Sequence, residues 1–276
     1  MTEVATNGEL LLVGCGNMGR AMLQGWLAAG FIRPDDVHVV EPAEALRAEA
    51  AALGVRTYAS AEALDAGFKP ATVVLAVKPQ VMAVVLPAYR SHVTESVVVS
   101  IAAGIPVSVL ETGLAAVAAV RAMPNTPAAI GKGSTVIFAN EHVSHEQAER
   151  VARLLSAGGA VHSVEREALI DAATALSGSG PAYVFHFIEA LAEAGTQLGL
   201  PPQTALALAR ETVFGAGALA MAADIPPAEL RRQVTSPGGT TEAALRVLME
   251  NDALKDLLGL AATAAHSRAV ELAGEA

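Results

Sequence analysis

The stretch Leu10-Leu11-Leu12-Val13-Gly14-Cys15-Gly16-Asn17-Met18-Gly19 constrains this chain more than any other. Four consecutive apolar residues read as a strand buried on both faces. Glycines follow at Gly14, Gly16 and Gly19, in the G-x-G-x-x-G spacing. Arg20 to Ala29 then carries apolar residues at helical intervals. Strand, glycine turn and helix in that order make a seat for a pyrophosphate: Gly14 allows the tight turn, and Gly16 lets backbone N–H groups approach the phosphates. Gly19 lets helix and strand pack closely, and the helix start supplies partial positive charge. An acidic residue, Glu41, lies 22 positions past Gly19, behind the apolar run Val37-His38-Val39-Val40. That is the distance at which a carboxylate meets the adenosine ribose of a bound dinucleotide.

The rest of the chain fits such a framework. Its 276 residues suffice for two domains, and an apolar fraction of 53% with 17% charged residues describes a core-rich chain. A net charge of −10 offers no basic face to nucleic acid or to an anionic membrane surface. An anionic substrate then needs backbone amides or a local cation. The single cysteine, Cys15, permits neither an internal disulfide nor a cysteine-based zinc site. No metal site is expected, since the seven histidines form no cluster. The stretch Met1–Glu9 has no basic region before an apolar core, and no uninterrupted apolar run approaches a membrane span. A cytoplasmic protein is the simplest expectation.

Up to about residue 164, short apolar runs alternate with helical patterns. Strands are expected at 37–40, 56–58, 72–77, 96–101, 116–120, 134–139 and 161–164. Helices are expected at 43–53, 60–66, 80–89 and 144–156, the last opened by a Ser144/Gln147 capping box. Alternation of this kind implies a doubly wound parallel sheet. From 165 onward, alanine-rich helical stretches take over, at about 168–175, 181–198, 202–223, 227–234 and 241–272. They are apolar around much of their circumference, and some 110 residues are too few to hide that surface alone. The expected architecture is therefore a dinucleotide-binding domain over 1–164 and an all-α dimerisation and substrate-binding domain over 165–276, with helices interleaved in a homodimer.

Four further segments carry polar groups at special backbone positions. Ala76-Val77-Lys78-Pro79 ends a central strand, where open α/β sheets bind ligands; read alone, Lys78 is equally a solvated lysine. Arg121-Ala122-Met123-Pro124-Asn125-Thr126-Pro127 follows a strand and brackets a polar pair between prolines, as a loop held for packing also would. Ser177-Gly178-Ser179-Gly180-Pro181-Ala182-Tyr183 opens a helix whose free N–H groups can face an anion; a plain helix entry has the same signature. Thr235-Ser236-Pro237-Gly238-Gly239-Thr240-Thr241 places two glycines before a hydroxyl-capped helix, forming an amide nest suited to a carboxylate, or simply a helix cap.

Taken together and in this order, the five motifs resemble those of the Δ1-pyrroline-5-carboxylate reductase family over essentially the whole chain. The resemblance implies a nucleotide-binding domain plus a helical dimerisation domain, dimers that assemble further into rings of five, and reduction of a cyclic imine to proline with NADPH or NADH. It implies that Gly14 to Gly19 hold the pyrophosphate, and that Ala76, Val77, Lys78, Pro79 and Asn125 lie beside the nicotinamide half. It also implies that Gly239, Thr240 and Thr241 seat the substrate carboxylate. By the same resemblance, the Thr241 hydroxyl is expected to bond the ring nitrogen as the catalytic group, with Ser179 and Asp224 as substrate contacts. Other readings in the same fold are a related imine reductase, a β-hydroxyacid dehydrogenase-like enzyme, or a non-catalytic NAD(P)-binding regulatory dimer. Glu41 departs from family members that favour the phosphorylated cofactor: its carboxylate repels a 2′-phosphate and accepts bonds from a free 2′-hydroxyl.

Overall fold

A computed structural model describes residues 8–274 of the chain. Most of the amino-terminal stretch, read above as free of a secretory signal, lies outside the described residues, as do Glu275 and Ala276. Strands and helices follow in the order β1 (Leu10–Val13), α1 (Asn17–Ala28), β2 (Val37–Val40), α2 (Glu44–Ala51), β3 (Arg56–Tyr58), β4 (Thr72–Leu75), α3 (Met82–Val85), β5 (Val97–Ser100), α4 (Val107–Leu114), β6 (Ala118–Met123), β7 (Gly133–Ala139), α5 (His145–Ser156), β8 (Gly159–Ser163) and α6 (Leu169–Ala173). Then come α7 (Gly180–Gln197), α8 (Pro202–Ala222), α9 (Pro227–Gln233), α10 (Thr240–Met249) and α11 (Ala253–Gly274). The chain forms two compact units, one of residues up to Ser179 together with the end of α11 from Ala265, the other Gly180–Ala264.

The first unit is built on one eight-stranded sheet of order β3-β2-β1-β4-β5-β6-β7-β8. The direction of strand order reverses between β1 and β4, the switch point at which doubly wound sheets open a ligand crevice. All pairings are parallel except β6 with β7. That one pair is the departure from the doubly wound parallel sheet expected. Residues 124–132 between those strands hold only a 3₁₀ segment, Thr126–Ile130, which is too short for a parallel crossover.

The continuous apolar run of β1 is buried on both faces because successive side chains alternate. Leu10 and Leu12 join Trp26, Val37 and Val39 on one face, while Leu11 and Val13 join Val73, Leu75 and Val98 on the other. Each fully buried leucine contributes about 1.5–3 kcal/mol. Trp26, on the buried face of α1, donates its indole N–H to the Leu154 carbonyl at 2.9 Å. At the start of α5 both halves of the Ser144/Gln147 capping box are formed.

Several expected elements are shorter or interrupted. Residues 60–66 give only a 3₁₀ turn, Ala61–Ala63. The expected 80–89 helix is a 3₁₀ turn, the four residues of α3, and a second 3₁₀ turn, Leu86–Tyr89. Pro87 there cannot donate to the carbonyl four residues back. The strand expected at 116–120 runs instead to Met123, so Arg121, Ala122 and Met123 belong to the sheet and not to the loop. The single helix expected over 241–272 is two, α10 and α11. They are separated at Asn251 and Asp252, which adopt φ of +50° and +55°. Asn and Asp are the side chains that best tolerate that region.

In the second unit, helices α7–α10 bury few residues completely, among them Ala205 and Ala209 of α8. Phe185, Phe214, Met221 and Val247 are exposed in the single chain. By length and composition α8 is apolar enough to cross a membrane, although Arg210 and Glu211 stand at its middle.

Candidate active site

The glycine loop is fixed by its neighbours on both sides. The Gly14 N–H donates to the Val40 carbonyl at 2.8 Å, and the Ala76 N–H donates to the Val13 carbonyl at 2.8 Å. Gly14 adopts φ +88°, and a Cβ there would stand 2.8 Å from the Ala76 oxygen and 3.1 Å from Val77 Cγ1. A Cβ on Gly19 would meet the Gly14 oxygen at 2.5 Å and Ala76 Cβ at 3.2 Å. Gly16 differs, since a Cβ there would meet nothing within 4 Å. Two glycines therefore serve the close approach of α1 to the strands, and the third borders open space. Gly16 is also the N-cap of α1 and supplies no side-chain cap. The first-turn N–H groups, including those of Asn17, Met18 and Gly19, have no partner within the helix. This arrangement fits a pyrophosphate.

Cys15 is buried, and its thiol pKa is pushed up to about 11, by burial first and by the Glu41 charge second. Glu41 is buried at the end of β2. Its Oε2 accepts the Cys15 N–H at 2.7 Å and its Oε1 accepts the Ala43 N–H at 2.9 Å. The Arg47 guanidinium donates to the Glu41 and Pro42 carbonyls at 2.9 and 3.0 Å. The carboxylate is thus held against the glycine loop by the turn that follows it. At the end of β4, Ala76 and Val77 are half-buried, Lys78 is exposed, and Pro79 opens a 3₁₀ turn.

Asn125 lies two residues past β6. Its side-chain NH₂ donates to the Ser177 carbonyl at 3.0 Å, and its Oδ1 accepts the Ser134 N–H at 2.9 Å. The amide is therefore turned onto the backbone. Residues Thr174–Gly178 form a π-helical turn after α6, closed by the Ser179 N–H donating to the Thr174 carbonyl at 2.8 Å. Only half-buried Ser179 separates the π turn from α7, which begins at Gly180, one residue before the expected Pro181. In the second unit, α10 begins at Thr240 with Gly239 as its N-cap and no side-chain cap, so the expected hydroxyl cap is absent. Gly238 adopts φ +72°, and its N–H donates to Glu242 Oε2 at 2.7 Å. The bend already receives a carboxylate, here from its own chain. Thr241 is half-buried, and Asp224 is exposed between α8 and α9.

One cluster escaped the sequence reading. Arg121, 3% exposed, donates to Asp171 at 2.6 Å and to Glu167 at 3.4 Å, and Glu167 also accepts the Val107 N–H at 2.8 Å. An arginine in an apolar strand with two acids four residues apart downstream is the signal that reveals it. Among the described residues, no group of three or more His, Cys, Asp or Glu side chains is arranged to hold a metal ion.

Comparison with known proteins places these features in one family. The model for pyrroline-5-carboxylate reductase dimerisation matches residues 167–272, and that for the NADP oxidoreductase, coenzyme F420-dependent, matches residues 9–104. Pyrroline-5-carboxylate reductase of Pseudomonas aeruginosa is 42% identical over 271 residues, covering 96% of this chain and 97% of the relative. The Synechocystis enzyme of the same name is 38% identical over 264 residues, covering 96% and 98%. The solved pyrroline-5-carboxylate reductase of Coxiella burnetii superposes with a TM-score of 0.89 at 38% identity, covering 96% of this chain and 98% of that one. The Plasmodium falciparum pyrroline carboxylate reductase, solved with NADP bound, gives 0.82 at 29% identity, covering 97% and 98%. On a likeness that runs through both units, the chain belongs to the pyrroline-5-carboxylate reductase family.

Proposed function

We propose that this chain is an NAD(P)H-dependent reductase of 1-pyrroline-5-carboxylate, acting on its C=N bond to give L-proline. The observation that carries the reading is a glycine loop with Gly14 and Gly19 closed against Ala76 and Gly16 left open, in a chain alike to named pyrroline-5-carboxylate reductases from end to end. NAD(P)H, when bound, supplies the hydride. The open side of Gly16 and the first turn of α1, from Asn17 to Gly19, hold the pyrophosphate with Cys15 buried behind them. Ala76, Val77, Lys78 and Pro79, with Asn125, border the nicotinamide half. Glu41 accepts the adenosine ribose hydroxyls.

The substrate is a small ring bearing one carboxylate. In a chain of net charge −10, a backbone seat is the economical way to hold it. Gly239, Thr240 and Thr241 at the start of α10 provide that seat, supported by the carboxylate that the same bend already receives from Glu242. The Thr241 hydroxyl bonds the ring nitrogen. A protonated imine is strongly electrophilic at carbon, so the residues need chiefly to orient it and hold the proton on nitrogen. Ser179 and Asp224 complete the substrate contacts. The exposed apolar helices assemble a homodimer with interleaved helices, and five dimers close into a decamer. No metal takes part, and the reaction is cytoplasmic, where the lone thiol stays reduced.

The test is spectrophotometric. NADH or NADPH oxidation must depend on added 1-pyrroline-5-carboxylate and yield proline. Cofactor binding without such oxidation, or turnover of ketones or hydroxyacids in its place, defeats the reading.

A further inference from the structure

One face of β6 forms a strip against the following helical segment. Arg121, Met123 and Asn125 alternate along extended backbone, so they share that face. Arg121 holds Asp171 of α6 at 2.6 Å. Met123 lies over the π turn, so close that a Cβ on Gly178 would stand 2.8 Å from its Cε. Asn125 donates to the Ser177 carbonyl at 3.0 Å.

The last bond answers a specific shortage. In a continuous α-helix the Ser177 carbonyl would receive the N–H four residues on. That residue is Pro181, which has none. The widened π turn and the missing donor leave the carbonyl available, and π turns recur where a helix is adapted to a functional site. Asn125 supplies the donor from another element, while its oxygen is anchored by the Ser134 N–H of β7. The amide thereby joins three elements through both of its polar ends.

We infer that Asn125 is a positioning residue: it tethers the π turn Thr174–Gly178 to the end of β6 and so fixes Ser179 for the substrate. The inference rests on the reductase reading above. Asn125→Asp keeps the acceptor for Ser134 and removes the donor to Ser177. The expected result is a lower melting temperature and at least a tenfold rise in KM for 1-pyrroline-5-carboxylate, with the loss of NADH affinity, read by fluorescence titration, several-fold smaller than the rise in KM.

The double variant Asn125→Asp/Pro181→Ala returns a helical N–H to the orphaned carbonyl but does not restore the tether. It is expected to recover lost thermal stability while the raised KM persists. Asn125→Ser, shorter and uncharged, must show the same split between KM and NADH affinity if the aspartate variant does not fold. The inference is overturned by an unchanged KM, by NADH affinity falling in step with KM, or by recovery of KM in the double variant. A wild-type protein that oxidises neither cofactor with the pyrroline overturns the underlying reading instead.

Discussion

The carboxylate of Glu41 accepts the Cys15 N–H at 2.7 Å, so the acid at the end of β2 and the glycine loop after β1 form one hydrogen-bonded unit. The second oxygen is engaged by Ala43, and the group cannot swing aside for a phosphate without abandoning two backbone donors. A buried N–H left unpaired in this way costs about 1–3 kcal/mol. The expected outcome is kcat/KM with NADH at least equal to that with NADPH. If Glu41 receives the ribose as proposed, Glu41→Gln removes a charge that repels a 2′-phosphate and should improve NADPH affinity relative to NADH by at least about tenfold in a fluorescence titration. A hundredfold preference of the wild-type enzyme for NADPH would count against this account.

Gly16 and Gly19 should part company under the same substitution. Gly16→Ala adds a methyl to open space, so the protein should melt like wild type while losing NADH affinity. Gly19→Ala drives a methyl to within 2.5 Å of the Gly14 oxygen and should destabilise the fold by about 1–3 kcal/mol, read by urea unfolding. Equal effects of both on stability would contradict the division of labour.

Thr241→Ala should lower kcat by about a hundredfold, the lower range for loss of a group that handles a proton at the reacting centre. The NADH dissociation constant should be unchanged, because the hydroxyl is assigned to the substrate nitrogen. Thr241→Ser, which keeps the hydroxyl, should recover most of the rate in a steady-state assay.

His38 predicts a pH dependence of stability. Its ring is buried in β2, stacked on Phe68, with Tyr58 Oη 3.0 Å from Nδ1 and Glu9 3.0 Å from Nε2. Burial lowers its pKa below the usual 6.5 and outweighs the opposing pull of Glu9 and Asp36, and Arg56 lowers it further. The folded state therefore binds fewer protons than the unfolded chain. The stability it contributes is complete above pH 6.5 and is lost as pH falls toward the depressed folded value. The melting temperature should drop between pH 7 and 5.5, by about 2–4 °C for each kcal/mol lost, and His38→Gln should flatten that slope.

The parts legible in the sequence were those governed by local rules. Leu10 to Gly19 declared a buried strand, a tight turn and a helix, because alternation, glycine geometry and helical spacing all act within ten residues. Ser144 and Gln147 announced their capping box for the same reason. What escaped depended on distant partners. Arg121 reads as a loop residue until Asp171 and Glu167 are seen to receive it. Asn125 reads as a pocket residue until Ser177 and Ser134 are found on its two ends. The reversal of β7 was implicit in the short connection after Met123, but the β/α rhythm around it masked that signal. The break at Asn251 was hidden because residues on both sides favour helix.

The small alanine core of α8 has a thermodynamic corollary. Since Ala205 and Ala209 are buried while Phe214 and Met221 face outward, much of the free energy that holds the helical unit together comes from a second chain. Unfolding is then coupled to dissociation, and the melting point becomes a function of enzyme concentration, rising with each tenfold increase and sinking on dilution.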